Sequence, residues 1–104
     1  MKQEKTLIIL TTNDLHGALV SGAGVVGADY TAALKRDYKG DLLLDAGDAI
    51  QGSALAALSK GRDVIALMNA AGYDAMAAGN HEFDYGLDTL LTDARRADFP
   101  ILSA

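Results

Sequence analysis

Short apolar runs alternate with stretches of helical spacing along the whole chain. The predicted strands are residues 5–12, 41–46, 73–78 and 100–104. The predicted helices are residues 25–38, 53–71 and 87–94. Gly61 is expected to divide the second helix in two, and Gly72 to end it. The order βαβαβαβ predicts an α/β fold, a mostly parallel sheet with flanking helices.

Polar side chains follow the first three predicted strands, at the point where each strand ends. Asp14 and His16 follow the first strand, Asp48 the second, and Asn80 and His81 the third. The two histidines are the only ones in the chain, and each lies beside an Asp or an Asn at a strand end. Because ligands of parallel sheets gather outside the carboxyl ends of the strands, we expect these side chains to meet at one edge. The pattern predicts a dinuclear metal site, or most of one.

The residue types indicate which chemistry such a site would support. A carboxylate can bridge two cations, which suits Asp48 on the central strand, and Asn80 would add a neutral amide oxygen. Oxygen and imidazole ligands fit Mn²⁺, Zn²⁺ or Fe. Two such cations would stabilise both oxygens of an in-line displacement and make hydroxide available near neutral pH. Phosphate esters are the natural substrates of this chemistry.

His81 and Asp84 form a second candidate group. Asp84 lies three residues after His81, close enough in a turn to accept a hydrogen bond from the imidazole and stabilise its charged form. The pair is a candidate general acid for the leaving oxygen. Glu82, between them, is as suited to binding the backbone of a neighbouring loop as to catalysis.

Composition limits the alternatives. With 104 residues, the chain supports one domain and no second domain. The net charge of −5 without a Lys/Arg cluster argues against a nucleic-acid polymer as partner, and two divalent cations would bring that charge to about −1. The absence of cysteine excludes thiolate sites and disulfides. The apolar runs are too short to span a bilayer, and residues 1–5 lack the apolar core of a signal peptide, as a chain trimmed of its signal also would.

Each motif also has a structural interpretation. Asp14 and His16 would then be a turn aspartate and a surface histidine, Asp48 a helix cap, and Asn80 a turn residue. A structural α/β module would contain the same loops and would bind no metal.

Three motifs resemble those of the calcineurin-like metallophosphoesterases. They are Asp-x-His at 14–16, Gly-Asp-x-x-Gln-Gly at 47–52 and Gly-Asn-His-Glu-Phe-Asp-Tyr-Gly at 79–86. The third motif, with Met-Asn-Ala-Ala-Gly-Tyr-Asp at 68–74 before it, is similar to that of the 5'-nucleotidase and 2',3'-cyclic-nucleotide phosphodiesterase branch.

The resemblance implies a role for each site residue. Asp14 and His16 would bind the first of two divalent metal ions, Asp48 would bridge the two, and Asn80 would bind the second. His81 and Asp84 would be the catalytic pair. The implied activity is hydrolysis of nucleotides, the alternatives being a cyclic-nucleotide phosphodiesterase or a non-catalytic metal- or ligand-binding module.

The resemblance also implies a larger domain. Residues 1–104 would be the N-terminal half of a four-layer αββα catalytic domain, whose further histidine ligands lie downstream in the family. We therefore expect weak metal binding, little or no turnover by this chain alone, and self-association through an exposed sheet edge. A periplasmic, cell-wall or secreted location would follow if a signal peptide had been removed.

Overall fold

Four parallel strands form one sheet in which each strand lies beside the next one in the sequence. The computed structural model describes residues 3–18, 20–22, 24 and 26–103. Its strands are β1 (Ile9–Thr12), β2 (Leu42–Asp45), β3 (Ala75–Ala77) and β4 (Ile101–Leu102). They follow the order β1-β2-β3-β4, and every neighbouring pair is parallel. The predicted α/β class and parallel sheet are confirmed.

Each α-helix begins directly after a small residue, Gly or Ser. They are α1 (Ala28–Asp37), α2 (Ala54–Ser59), α3 (Arg62–Ala71) and α4 (Leu87–Arg96), with a single 3₁₀ turn at Asn80–Phe83. Gly61 separates α2 from α3 at φ 85°, and Gly72 ends α3 at φ 83°, as predicted. The 3₁₀ turn is an element that the apolar spacing did not predict. None of the helices in the described ranges is long and apolar enough to cross a membrane.

The core lies on one face of the sheet only. Leu43 of β2 and Met76 of β3 point to this face and join Ile65 and Met68 of α3 in one buried cluster. On the opposite face the strand register aligns the following side chains: Ile9, Thr11, Leu42, Leu44, Ala75, Ala77 and Leu102. Ile9 is 47% exposed and Leu102 is 57% exposed. Parallel sheets are normally covered on both faces, so this open face is unusual for an isolated fold.

Asp93 of α4 is a buried acid that is not among the predicted site residues. Its side chain is 1% exposed, and its Oδ2 has no hydrogen-bond partner among the described residues. The Oδ2 packs against the backbone of Gly61, where a Cβ would lie only 2.9 Å away. Arg96 is 3.8 Å from Oδ1. Burial raises the pKa of Asp93, and the nearby Arg96 and Arg62 only partly oppose this shift.

We expect Asp93→Asn to stabilise the fold at neutral pH. The folded state raises this pKa, so the protonated carboxyl of Asp93 favours folding. This contribution to the free energy of unfolding is present at low pH and is lost as the pH rises through the folded pKa. The neutral amide should therefore raise the melting temperature at pH 7 by about 2–6 °C. The gain over wild type should shrink as the pH falls and the wild-type carboxyl takes up its proton.

Thermal unfolding followed by circular dichroism between pH 4 and pH 7 measures this difference. Asp98→Asn, at an exposed position just after α4, is the matched control and should change little. A lower melting temperature for Asp93→Asn at pH 7 would contradict the prediction.

Candidate metal centre

The loops that follow β1 and β2 run side by side and are joined through their backbones. The Asp14 N–H donates to the Gly47 carbonyl at 3.0 Å, and the His16 N–H donates to the Asp48 carbonyl at 3.0 Å. These bonds continue the pairing of β1 with β2 beyond the ends of both strands. Backbone hydrogen bonds alone therefore hold the first two motifs together.

Three predicted ligands share an uncommon backbone conformation. Asp14, His16 and Asp48 have φ angles of 53°, 47° and 58°, in the left-handed region that few residues other than glycine adopt. Each such residue costs of order 1 kcal/mol, and such residues concentrate at functional sites. Here the conformation brings one ligand atom of each side chain within 4.8 Å of the others.

The spacing of these three donors fits a single cation. Metal–ligand bonds of about 2.0–2.2 Å place two ligand atoms on one ion at most about 4.4 Å apart. The donors Asp14, His16 and Asp48 therefore need only a small inward movement to reach a shared ion. Two carboxylates and one imidazole are a donor set suited to Mn²⁺, Zn²⁺ or Fe.

Glycines allow these loops to pack closely. A Cβ at Gly52, which has φ 125°, would lie 2.8 Å from the His16 Cβ. A Cβ at Gly79 would lie 2.8 Å from the Asp48 backbone nitrogen and still closer to Asp48 Oδ1. A larger residue at either position would therefore push a predicted ligand away from the site.

The third motif docks on Asp48. The His81 N–H donates to Asp48 Oδ1 at 2.9 Å, and Gly79 packs against the same side chain. Asn80 lies between these two residues, exposed, at the start of the 3₁₀ turn. Its position at the sheet edge is thus set by neighbours that both contact Asp48.

His81 and Asp84 form the expected pair. Their Nδ1 and Oδ2 atoms are 2.7 Å apart. This hydrogen bond is the main cause of a raised pKa of His81, with further contributions from the charges of Asp84, Asp48 and Glu82. The His81 ring also meets the His16 ring edge to face, with centroids 5.5 Å apart. The predicted catalytic pair and the predicted metal ligands are therefore adjacent.

Glu82 binds the backbone of two loops at once. Its side chain is fully buried. One oxygen accepts from the N–H groups of Gly79 and Asp48, each at 2.7 Å. The other accepts from Ala49 at 2.6 Å and from Ile50 at 3.3 Å. The sequence left open whether Glu82 takes part in catalysis or binds the backbone of a neighbouring loop. The structure shows that it binds backbone.

Comparison with known proteins identifies the family of this chain. Residues 7–102 match the family described as calcineurin-like phosphoesterase. The chain belongs to that family. The expected calcineurin-like phosphoesterase relationship is confirmed, and so is the parallel α/β fold.

Several relatives of this calcineurin-like phosphoesterase are 5'-nucleotidases. The chain is 43% identical to the snake venom 5'-nucleotidase of Gloydius brevicauda, over 94% of this chain and 19% of the relative. It is 41% identical to the 5'-nucleotidase of Homo sapiens, over 94% of this chain and 20% of the relative. The chain thus spans about a fifth of the length of these relatives.

Solved structures show the same fold. The 5'-nucleotidase precursor of Thermus thermophilus superposes with a TM-score of 0.80 at 34% identity, over 94% of this chain and 22% of that one. The NAD nucleotidase of Haemophilus influenzae gives 0.79 at 35% identity, over 94% and 20% respectively.

We expect Asp84→Asn to lower the pKa of His81. The Asp84 carboxylate is the largest cause of the raised value, so an amide at this position should return the pKa towards the ordinary value near 6.5. The His81 imidazole would then lose its proton at a lower pH. Proton NMR titration of the two histidines measures the change directly.

Asp88→Asn is the control for this titration, because Asp88 is an exposed acid near the start of α4 and is not among the causes of the His81 shift. An unchanged His81 pKa in Asp84→Asn would show that the observed hydrogen bond does not persist in solution.

Proposed function

We propose that this protein is a metal-dependent phosphoester hydrolase of the 5'-nucleotidase type that acts on nucleotides. One observation carries the proposal above the others. Asp14, His16 and Asp48 place their ligand atoms within 4.8 Å of one another through three left-handed backbone turns, immediately beside the His81–Asp84 pair. Family membership and the named 5'-nucleotidase relatives support this substrate class.

The proposed ligands divide between two divalent cations. Asp14 and His16 would hold the first cation, Asp48 would bridge both, and Asn80 would bind the second. The local charge supports cation binding. Burial raises the pKa of Asp45, and the negative charges of Glu82 and Asp14 raise it further, so several carboxylates lie close together at this edge of the sheet. When bound, Mn²⁺, Zn²⁺ or Fe would supply Lewis-acid stabilisation of the phosphoryl oxygens and lower the pKa of water.

The His81–Asp84 pair would handle the leaving group. The carboxylate holds the imidazole through Nδ1, which leaves Nε2 free to carry the proton that the leaving oxygen needs. The raised pKa of His81 keeps more of the imidazole protonated near neutral pH. Asp84 thus orients the ring and maintains its charge.

The open face of the sheet supports a further part of the proposal. We infer that residues 1–104 form the N-terminal half of a four-layer αββα domain, in which a second sheet covers Ile9, Leu102 and their neighbours. The remaining metal ligands would come from that second half, since the described residues offer fewer donors than two cations require. A location outside the cytoplasm is part of the same proposal, supported by relatives named as venom proteins.

We expect the chain to bind Mn²⁺ weakly, and Asp48→Asn to weaken that binding by at least about tenfold. Asp48 contributes to both proposed cation positions, so its loss should matter more than that of any exposed acid. Isothermal titration calorimetry measures both affinities, with Asp88→Asn as the control that should bind as wild type does. Equal affinity in Asp48→Asn and wild type would contradict the proposed centre.

The same samples, supplied with a nucleoside monophosphate, should release little or no phosphate. Turnover near the common enzyme range of about 1–10³ s⁻¹ would contradict the inference that half of the catalytic domain lies elsewhere.

We also expect the chain to self-associate through its open sheet face and edge. Sedimentation velocity across a dilution series should show dimers or larger species that dissociate at low concentration. Ile9→Lys, on the edge strand β1, should reduce association. Leu58→Lys, at an 86% exposed position on α2, is the matched control and should not. A strictly monomeric wild-type chain at every concentration would contradict the expectation.

A further inference from the structure

A buried hydrogen-bond chain lies beneath the metal centre and links its first two strands. Asp45, the last residue of β2, is 4% exposed. Its Oδ2 accepts from the Thr12 hydroxyl at 2.5 Å, and its Oδ1 accepts from the Gly47 N–H at 2.8 Å. The Thr12 oxygen is also 2.9 Å from the hydroxyl of Tyr73, another buried residue.

The direction of this chain follows from counting protons. Thr12 has one hydroxyl proton, and its short contact with a carboxylate oxygen requires that proton. The Tyr73 hydroxyl must therefore be the donor to Thr12. The sequence of donors runs from Tyr73 to Thr12 to Asp45, and burial strengthens each of these bonds.

Both partners of Asp45 lie one or two residues before a predicted metal ligand. Thr12 ends β1 two residues ahead of Asp14, and it is paired with Asp45 in the register of the sheet. Gly47 immediately precedes Asp48. One carboxylate thus anchors the start of both loops in which Asp14 and Asp48 adopt left-handed backbone.

We propose that Asp45 is a positioning residue for the metal centre, which holds the loops of Asp14 and Asp48 at the separation needed to share one cation. This inference rests on the proposed metal binding. It differs from a purely electrostatic role, in which the negative charge of Asp45 alone would increase the affinity for cations.

Two substitutions at this position separate the two roles. In Asp45→Asn the side-chain oxygen can still accept from Gly47, while the amide group donates to the Thr12 oxygen and the Thr12 proton turns towards Tyr73. The bonds from this side chain to Thr12 and Gly47 are then kept while the charge is lost, although the Tyr73 hydroxyl proton must find another acceptor. Asp45→Ala removes both the charge and the anchor.

Calorimetric titration with Mn²⁺ gives the first readout, under conditions where circular dichroism shows each protein to be folded. We expect Asp45→Asn to bind within about threefold of wild type and Asp45→Ala to lose at least about tenfold. Val64→Ala, which truncates a buried side chain of α3 away from the site, controls for destabilisation and should keep wild-type affinity. If Asp45→Ala does not fold, Thr12→Val, which removes the central hydroxyl, takes its place with the same expectation.

Amide NMR of the metal-free proteins gives the second readout. Asp45→Ala should shift the Asp14 and Asp48 amide resonances, whereas Asp45→Asn and Val64→Ala should leave them near their wild-type positions. Equal losses of affinity in both Asp45 variants, or wild-type affinity in Asp45→Ala, would overturn the positioning role. If wild type bound no Mn²⁺, the proposed function would fail, and the amide shifts alone would decide whether Asp45 positions the loops.

Discussion

The site depends on one buried carboxylate more than on any other side chain. Glu82 accepts hydrogen bonds from four backbone N–H groups, which belong to the loops after β2 and β3. Ala49 and Ile50 are completely buried, so their N–H groups would be costly to leave without an acceptor. A charged acceptor satisfies them more strongly than a neutral one would. The two loops therefore fold around Glu82, and the contacts between Asp48 and His81 follow from that.

The loop of Asp48 is consequently held from both sides. On the β3 side, Glu82 and the His81 N–H bind it. On the β1 side, backbone bonds from Asp14 and His16 bind it, and Asp45 binds the residue just before it. The central loop thus has little freedom to move relative to either neighbour. This rigidity concentrates several carboxylates at one sheet edge, an arrangement whose repulsion a bound cation would relieve.

Much of this architecture could be predicted from the sequence, because it depends on local signals. Gly61 and Gly72 mark helix boundaries by their freedom to adopt positive φ, and the three-residue spacing of His81 and Asp84 already allowed their pairing. The first strand is shorter than residues 5–12 because pairing with β2 begins only at Ile9, opposite Leu42. Strand length is set by the partner, which an apolar run cannot reveal.

Other features of the site depend on partners that are distant in sequence. Glu82 and Asp45 bind backbone N–H groups or hydroxyls, some of them more than 30 residues away. Because every residue type except proline has a backbone N–H, the sequence does not identify these partners. The sequence signal for Glu82 is its place three residues after Gly79, from which a Glu side chain can accept the N–H of the residue that starts the turn. The metal roles of Asp14, His16, Asp48 and Asn80 stay predictions.

The left-handed backbone at Asp14, His16 and Asp48 costs stability at the same three positions that supply the proposed metal ligands. Glycine would adopt those φ angles without the steric cost that a side chain incurs, so backbone conformation by itself favours glycine there. A library screened only for thermal resistance should therefore drift towards glycine at these positions and lose the donor atoms as it improves. Engineering a more robust version of this domain would have to find its gains elsewhere in the molecule, with these three residues held fixed.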